Sequence, residues 1–328
     1  MPRTLLLTGA AGFIGSHTAV ALAKRGDRVI GIDSFHPYYD PARKRANVRE
    51  IAAEAPGAAF ELVEGDIRDR ELVERLFAQH RFDGVIHLAA MAGVRASVDD
   101  PFTYYDVNLT GTLVLLEAAR RHGLPNFVFA STSSAYGAST RLPFTEDDPA
   151  DRPLAPYPAS KRACELLGHS FHHHFGLNFT ALRFFTVYGP RGRPDMLTYK
   201  LLDATRTGRP LTLYDGGRML RDWTFVGDIA AGVVAAVDAK LGYEIVNLGR
   251  GKPVLVSDYI AVFERITGKK VPFEDAPRLD SDVERTHANI DKARRLLGYA
   301  PSVDVEEGAA QFVAWFERAI ARAEAAGG

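Results

Sequence analysis

The sequence predicts an α/β fold, a doubly wound parallel sheet with a smaller mixed α/β lobe. Three observations predict it. Short apolar runs alternate with helical patterns through the first half of the chain. A glycine-rich turn directly follows the first of those runs. Beyond about residue 188 the alternation gives way to loops such as "VYGPRGRPDM" and "YDGGRMLRDWTFVGD". The 328 residues, 46% apolar and 25% charged, suffice for one large domain or two unequal ones.

The elements follow in order. "TLLLTG" is a buried-strand run that ends in glycine, and "IGSHTAVALAKRG" has helical spacing with a glycine stop. "RVIGID" is the second strand. After a long connection comes the strand "FELVEGD", then a helix over "DRELVERLFAQH". "FDGVIHLAA" is a strand and "YYDVNLTGTLVLLEAARRHG" a long helix. "NFVFASTS" is a strand, "YPASKRACELLGHSFHHHFG" a helix, and "NFTALRFF" a strand. Unbroken apolar runs, rather than alternating ones, indicate strands covered on both faces. Ligands of open α/β sheets bind beyond the carboxyl ends of the strands, so the later lobe is expected there. Some later segments, "YEIVNLG" among them, are expected to rejoin the sheet.

Charge and composition exclude several classes. Lys and Arg total 40 against 41 Asp and Glu, so no basic excess exists to hold a nucleic-acid backbone. Cys164 is the sole cysteine, which excludes an internal disulfide and a cysteine-based zinc site. The amino terminus does not read as a signal peptide, and no stretch approaches the ~18 apolar residues of a membrane span. A reducing cytoplasm is the expected location.

Gly9, Gly12 and Gly15 form G-A-A-G-F-I-G, which also holds Phe13 and Ile14, between the first strand and the first helix. Glycines there allow a tight turn and close approach to a pyrophosphate, while the helix amino terminus offers unpaired N–H groups. The spacing is G-x-x-G-x-x-G rather than the commoner G-x-G-x-x-G. Asp33 ends the second strand, where an acid suits a ribose hydroxyl and repels a 2′-phosphate, which favours NAD over NADP. Asp66 and Ile67, at the end of the third strand, are candidates to flank the adenine. Residues 1–187 thus read as a Rossmann-like NAD-binding domain and 188–328 mainly as a substrate domain, with about 226–250 returning to the first.

Tyr157 and Lys161 are four apart at the start of a helix and share a face. A free tyrosine titrates near ~10, but a neighbouring ammonium and a bound nicotinamide's charge both favour the phenolate. Tyr157 then becomes a proton acceptor, with Thr132 guiding the proton of the same substrate hydroxyl.

In "TGAAGFIGSH", "GDIRD", "VIHLAA", "DVNLTGT", "ASTSSAYG", "YPASK", "LRFFTVYGP", "RDWTFVGDIA", "NLG" and "DVERTHANI" the sequence resembles the extended short-chain dehydrogenases/reductases, in their nucleotide-sugar branch. Within that branch it is most similar to the UDP-glucuronate 4-epimerases. The resemblance implies tightly held NAD, with Leu88 and Ala89 of "VIHLAA" beside it, and transient oxidation at sugar carbon 4. It also implies a homodimer through a four-helix bundle whose helices begin near Tyr104 and Tyr157.

Relatives that perform 4,6-dehydration carry Asp-Glu where this chain has Ser133-Ser134, and decarboxylating relatives carry Glu at the position of Ser134. A hydroxyl without an activating partner is a poor acid or base at neutral pH. The two serines therefore favour epimerisation. In the resemblance, Thr186 stands where UDP-glucose 4-epimerases usually have Asn, and Thr186 and Arg193 match residues that grip a sugar carboxylate. Arg221 matches a diphosphate-binding arginine, and Asp282 a position near the uridine ribose, with Arg285 close by. Arg95, at the ligand end of the sheet, faces either the sugar nucleotide or a loop ion pair. For Arg221 the competing reading is an ion pair with Asp222. A UDP-glucose or UDP-N-acetylglucosamine 4-epimerase is the nearest alternative activity. Decarboxylase, dehydratase and non-catalytic NAD-binding readings follow behind it. Adjacent helical positions diverge, so His172, His173 and His174 are not expected to share a metal ion. His87 reads as a core histidine and Cys164 as packing.

Overall fold

The computed structural model describes residues 2–57, 59–139, 141–279 and 282–327. Seven strands form one parallel sheet: β1 (Thr4–Thr8), β2 (Arg28–Asp33), β3 (Phe60–Glu64), β4 (Gly84–His87), β5 (Phe127–Thr132), β6 (Phe179–Phe184) and β7 (Tyr243–Leu248). Their spatial order is β7-β6-β5-β4-β1-β2-β3. The chain leaves β1 towards β2 on one side and returns to β4 on the other. This reversal opens a crevice at the carboxyl ends of β1 and β4.

Successive strand residues feed opposite faces. Leu5 and Leu7 join one core with Val128 and Ala130, while Leu6 joins the other with Phe127 and Phe129. That is why the strands read as continuous apolar runs. The helices that follow the strands are α1 (Phe13–Lys24), α2 (Pro41–Glu54), α3 (Arg70–Gln79), α4 (Gly111–Arg121) and α5 (Pro156–Phe175).

Two segments depart from the sequence reading. The long connection between β2 and β3 holds α2, half of whose side chains are polar and of which only Asn47 and Ile51 are buried. Its amphipathic signal is weak, but its start is marked: Asp40 accepts from the Ala42 N–H, and Pro41 occupies the first turn. The long helix expected over 104–123 is broken by a π turn, Asp106–Thr110. The Asn108 side chain accepts from Met91 N–H (2.8 Å) and donates to Met91 O (3.1 Å) and Ser160 Oγ (2.9 Å). These bonds tie the wide turn to the loop after β4 and to α5.

In the second half, α6 (Leu197–Thr207) and α7 (Val226–Asp238) are joined by three small ladders. Trp223–Phe225 pairs with Thr186–Tyr188, Val254–Leu255 with Leu220–Arg221, and Phe273–Ala276 with Leu211–Tyr214. β7 pairs in parallel with β6, from Tyr243 opposite Phe179 to Leu248 opposite Phe184, and α7 packs on α1. Among the described residues no helix is long and apolar enough to cross a membrane.

Under the site, Glu165 on α5 and Arg183 on β6 are both fully buried and form two hydrogen bonds, Nε–Oε1 2.9 Å and Nη2–Oε2 2.8 Å. Ser131 Oγ donates to the same carboxylate at 2.5 Å. Removing one partner of a buried pair leaves an uncompensated charge. Glu165→Leu is therefore expected to lower unfolding free energy by about 3–5 kcal/mol, and the double variant with Arg183→Met to regain most of that loss. Urea denaturation checks this, and a single variant within 1 kcal/mol of the parent, roughly the size of an ordinary surface change, would contradict it.

Candidate active site

A cavity of about 420 Å³ runs along the carboxyl ends of the strands from the glycine turn to α5. Gly9, at φ +68°, takes a conformation suited to glycine, and a Cβ on Gly15 would fall 2.0 Å from Gly9 O. The turn therefore packs closely against α1. No side chain caps the first turn of α1, and no acid lies in it, so its N–H groups and partial positive charge are left for an anion.

At the same end, Asp33 accepts from Ala11 N–H (3.2 Å), Phe35 N–H (2.8 Å) and the Lys44 ammonium (3.1 Å). Lys44, on α2, and Tyr38 and Tyr39, just before it, line the cavity and belong to the β2–β3 connection that periodicity left without an element. Asp66 and Ile67 sit two and three residues beyond β3, and Asp66 is held below the usual carboxylate range chiefly by its hydrogen bond with Arg68. Phe13, Ile14, Leu88 and Ala89 line the same wall. Uncapped N–H groups, a glycine turn and an acid at the end of β2 together fit a dinucleotide.

At the other end, Thr132, the last residue of β5, accepts from Ser134 N–H at 3.1 Å and starts the short turn Ser133–Tyr136. Thr132, Ser133, Ser134, Tyr157 and Lys161 all line the cavity. Burial pushes the Tyr157 phenol above its usual value, while the Arg193 guanidinium and the Thr132 hydroxyl pull it back. The chief opposing charge is thus Arg193 rather than the lysine four residues away. Lys161 is buried over the Phe129 ring, its ammonium 4.5 Å from the centroid. Burial pulls it down to about 8.

Thr186 and Arg193 line the same cavity, Arg193 close enough to act on the Tyr157 phenol, and the acids among the described lining residues, Asp33 and Asp66, belong to the end at β2 and β3. Arg95, Arg221 and Asp282 lie outside the cavity lining. Arg95 Nη2 meets Asp282 Oδ2 at 2.6 Å, with its guanidinium 4.2 Å from the Tyr214 ring centroid. Arg221 donates to Leu220 O and Glu284 O rather than to Asp222. The Asp222 carboxylate instead accepts from the Arg250, Gly251 and Ala288 N–H groups. Burial lowers the Arg221 guanidinium, Asp282 opposes that shift, and Arg95 and Arg278 add to it. Arg285 pairs with Glu284.

Among the histidines, His87 is buried between Thr8 Oγ1 (2.7 Å at Nδ1) and Thr112 Oγ1 (3.0 Å at Nε2). Thr112 donates to Asn108 O and Thr8 accepts from Ala89 N–H, so the neutral ring carries its proton on Nε2. His172 turns to Leu177 O, and His173 and His174 are exposed. The Cys164 thiol is buried against Asn108 O and Thr112.

A model of the NAD dependent epimerase/dehydratase family matches residues 5–249. UDP-glucuronate 4-epimerase 4 of Arabidopsis thaliana is 42% identical, covering 95% of this chain and 75% of the relative. A UDP-glucuronate 4-epimerase of Thermodesulfobacterium geofontis is 40% identical over 96% of each chain. The crystal structure of UDP-glucuronic acid 4-epimerase from Bacillus cereus with UDP-glucuronic acid and NAD superposes with a TM-score of 0.88. Its identity is 34%, over 96% of this chain and 99% of that one. A UDP-glucose 4-epimerase from Thermotoga maritima with UDP-glucose also reaches 0.88, at 31% identity over 97% and 99%.

Lys161 carries a burial cost in the cofactor-free protein. Its folded value of about 8 lies below its ordinary 10.5, so between those pH values the unfolded chain binds more protons and stability rises with pH. The cost is fully present below pH 8. Lys161→Met is expected to stabilise the cofactor-free protein by a few kcal/mol at pH 7, of order 1.4 kcal/mol per pKa unit, with the gain shrinking towards pH 10.5. Denaturation at both pH values checks this, and a variant that is less stable at pH 7 would contradict it.

Proposed function

The chain belongs to the NAD dependent epimerase/dehydratase family, and from that premise we propose that it converts UDP-glucuronate to UDP-galacturonate by 4-epimerisation. NAD is the cofactor, and when bound it takes the hydride from sugar carbon 4 and returns it to the opposite face.

The residues divide the remaining work. The glycine turn and the first turn of α1 receive the pyrophosphate, and Asp33 takes the ribose hydroxyls. Tyr157 accepts the proton of the 4-hydroxyl and gives it back, with Thr132 hydrogen-bonded to the same oxygen. Lys161 brings a buried positive charge to the cofactor side of the tyrosine, which the phenol needs because burial alone opposes its ionisation. Ser133 and Ser134 line the sugar pocket without supplying an acid. Thr186 and Arg193 hold the sugar carboxylate. Arg221 takes the diphosphate, Asp282 the uridine ribose, and Arg95 the sugar nucleotide. Residues after about 188 then supply most of the sugar-nucleotide part, and residues 1–187 with about 226–250 the NAD part.

A single observation supports this activity above its alternatives. Among the described residues that line the cavity, Arg193 and Thr186 accompany Tyr157, and the only acids, Asp33 and Asp66, stand at the end of β2 and just beyond β3. A 4-keto uronate is a β-keto acid that loses carbon dioxide when its carboxylate bond aligns with the ketone π system. A guanidinium fork and a hydroxyl restrain that rotation. Incubation with UDP-glucuronate and, separately, UDP-glucose, with products resolved by NMR, is expected to give faster turnover of the uronate. Faster turnover of the neutral sugar would transfer the assignment to a UDP-glucose epimerase.

We further propose a cytoplasmic homodimer. Phe102 is 86% exposed and Leu166 56%, on the segment leading into α4 and on α5, and Leu113 lies nearby in sequence on α4. Large exposed apolar side chains on adjacent helices are the usual mark of a covered surface. Phe102→Asp with Leu166→Asp is expected to halve the mass seen by sedimentation, and a parent protein that is already monomeric would refute the dimer.

A further inference from the structure

The turn that carries Arg193 also carries an acid that the epimerisation scheme leaves unused. Met196 N–H donates to Arg193 O at 3.2 Å, which closes a β-turn over Arg193–Pro194–Asp195–Met196 with proline at its second position. The turn brings the side chains of residues 193 and 195 together. Asp195 accepts from Arg193 Nε at 2.9 Å and from Nη2 at 2.8 Å, a two-point pair along one edge of the guanidinium. Tyr38, from the segment after β2, donates its hydroxyl to Asp195 Oδ2 at 3.2 Å and flanks Arg193 with its ring, centroid to Cζ 5.9 Å. Arg193 and Tyr38 line the cavity, whereas Asp195 does not. Nη1 donates to no other described residue.

We propose that Asp195, steadied by Tyr38, is a positioning residue that occupies the Nε–Nη2 edge of Arg193 from behind and leaves Nη1, with the outward N–H of Nη2, to receive the sugar carboxylate. This rests on the reading of Arg193 as the carboxylate clamp. A free arginine has several edges and many rotamers with which to meet a carboxylate, and each would hold the group at a different twist. Fixing one edge selects one twist of the carboxylate relative to carbon 5. That twist decides whether the 4-ketone is safe. Decarboxylation breaks the C5–C6 bond, delivers its electron pair into the ketone as an enolate, releases carbon dioxide, and ends with a proton on carbon 5. It is fast only when the breaking bond aligns with the π system. Asp195 also offsets part of the Arg193 charge, so recognition depends on shape and donor direction more than on bulk attraction. The proline at the turn's second position and the Tyr38 bond argue against a carboxylate that swings away to make room.

The test uses the NAD-loaded protein and four forms: parent, Asp195→Asn, Asp195→Ala and Arg193→Ala. Calorimetry gives the affinity for UDP-glucuronate and for UDP-glucose, and trapped carbon dioxide per epimerised sugar gives the leak. The expected result for Asp195→Ala is about tenfold weaker UDP-glucuronate binding with UDP-glucose binding changed less than about twofold, and a leak raised at least about fivefold. Asp195→Asn, which keeps one acceptor oxygen, should fall between and covers the case in which the alanine variant does not fold. Equal losses for both sugars would mean a merely structural role and overturn the proposal. Tighter uronate binding would overturn it too, making Asp195 a competitor for the fork. If both Asp195 variants match the parent while Arg193→Ala weakens the uronate, the proposal falls and the clamp stands. If Arg193→Ala leaves uronate binding unchanged, clamp and proposal fall together.

Discussion

The site depends on one buried contact, the Glu165–Arg183 pair between α5 and β6. Both groups are withdrawn from water; Arg183 relies on Glu165 for its counter-charge, while Glu165 also meets Arg162 at 3.2 Å. Ser131 on β5 binds the same carboxylate, which joins two strands and a helix at one point. Glu165 is one helical turn from Lys161 and two from Tyr157, and Ser131 precedes Thr132. Fixing that point sets the rotation of α5 and its height over β5, and so brings a phenol, an ammonium and a hydroxyl to one cavity wall.

The same design sets up an electrostatic problem that the bound partners solve. A phenol and an ammonium line one cavity, and withdrawal from water opposes the charged form of each. The protein alone therefore holds Tyr157 neutral and Lys161 near its titration point. Ligands that bring hydrogen-bonding hydroxyls and fixed charge into the cavity change that balance. Arg193, with the Thr132 hydroxyl, is the protein's own contribution towards the phenolate, and Asp195 pairs with that guanidinium. Residues that read as substrate contacts thus also act on the proton acceptor, which couples sugar recognition to chemistry.

Much of this was legible in the sequence because parallel α/β folds encode their sites locally. Gly9, Gly12, Gly15 and Asp33 stand at element ends, and the three residues Thr132, Tyr157 and Lys161 stand at a strand end and on one helical face. Those positions line one cavity once the strands pair in order. What escaped has physical reasons. α2 buries little, so its periodicity is weak, although its Asp-Pro start was readable. The π turn at Asn108 depends on side-chain bonds to Met91 and Ser160, which no spacing rule contains. Lys44 reaches Asp33, and Tyr38 reaches Asp195, through contacts between distant segments. Arg221 lies next to Asp222 in sequence but points elsewhere, because three backbone N–H groups already engage that acid. The Arg-Pro-Asp turn, like the Asp-Pro start of α2, was a missed feature with a local signal.

Carbon 4 is oxidised and restored within one site, where the acids among the described lining residues, Asp33 and Asp66, stand at the β2–β3 end and not beside Ser133 and Ser134 to divert the ketone. UDP-glucuronate carrying deuterium at carbon 4, turned over in ordinary water and followed by NMR, tests it most directly. The account predicts UDP-galacturonate that retains the deuterium at carbon 4. In heavy water with unlabelled substrate it predicts no deuterium at carbon 4 or carbon 5. Loss of the label to solvent, or solvent deuterium at carbon 5, would contradict it.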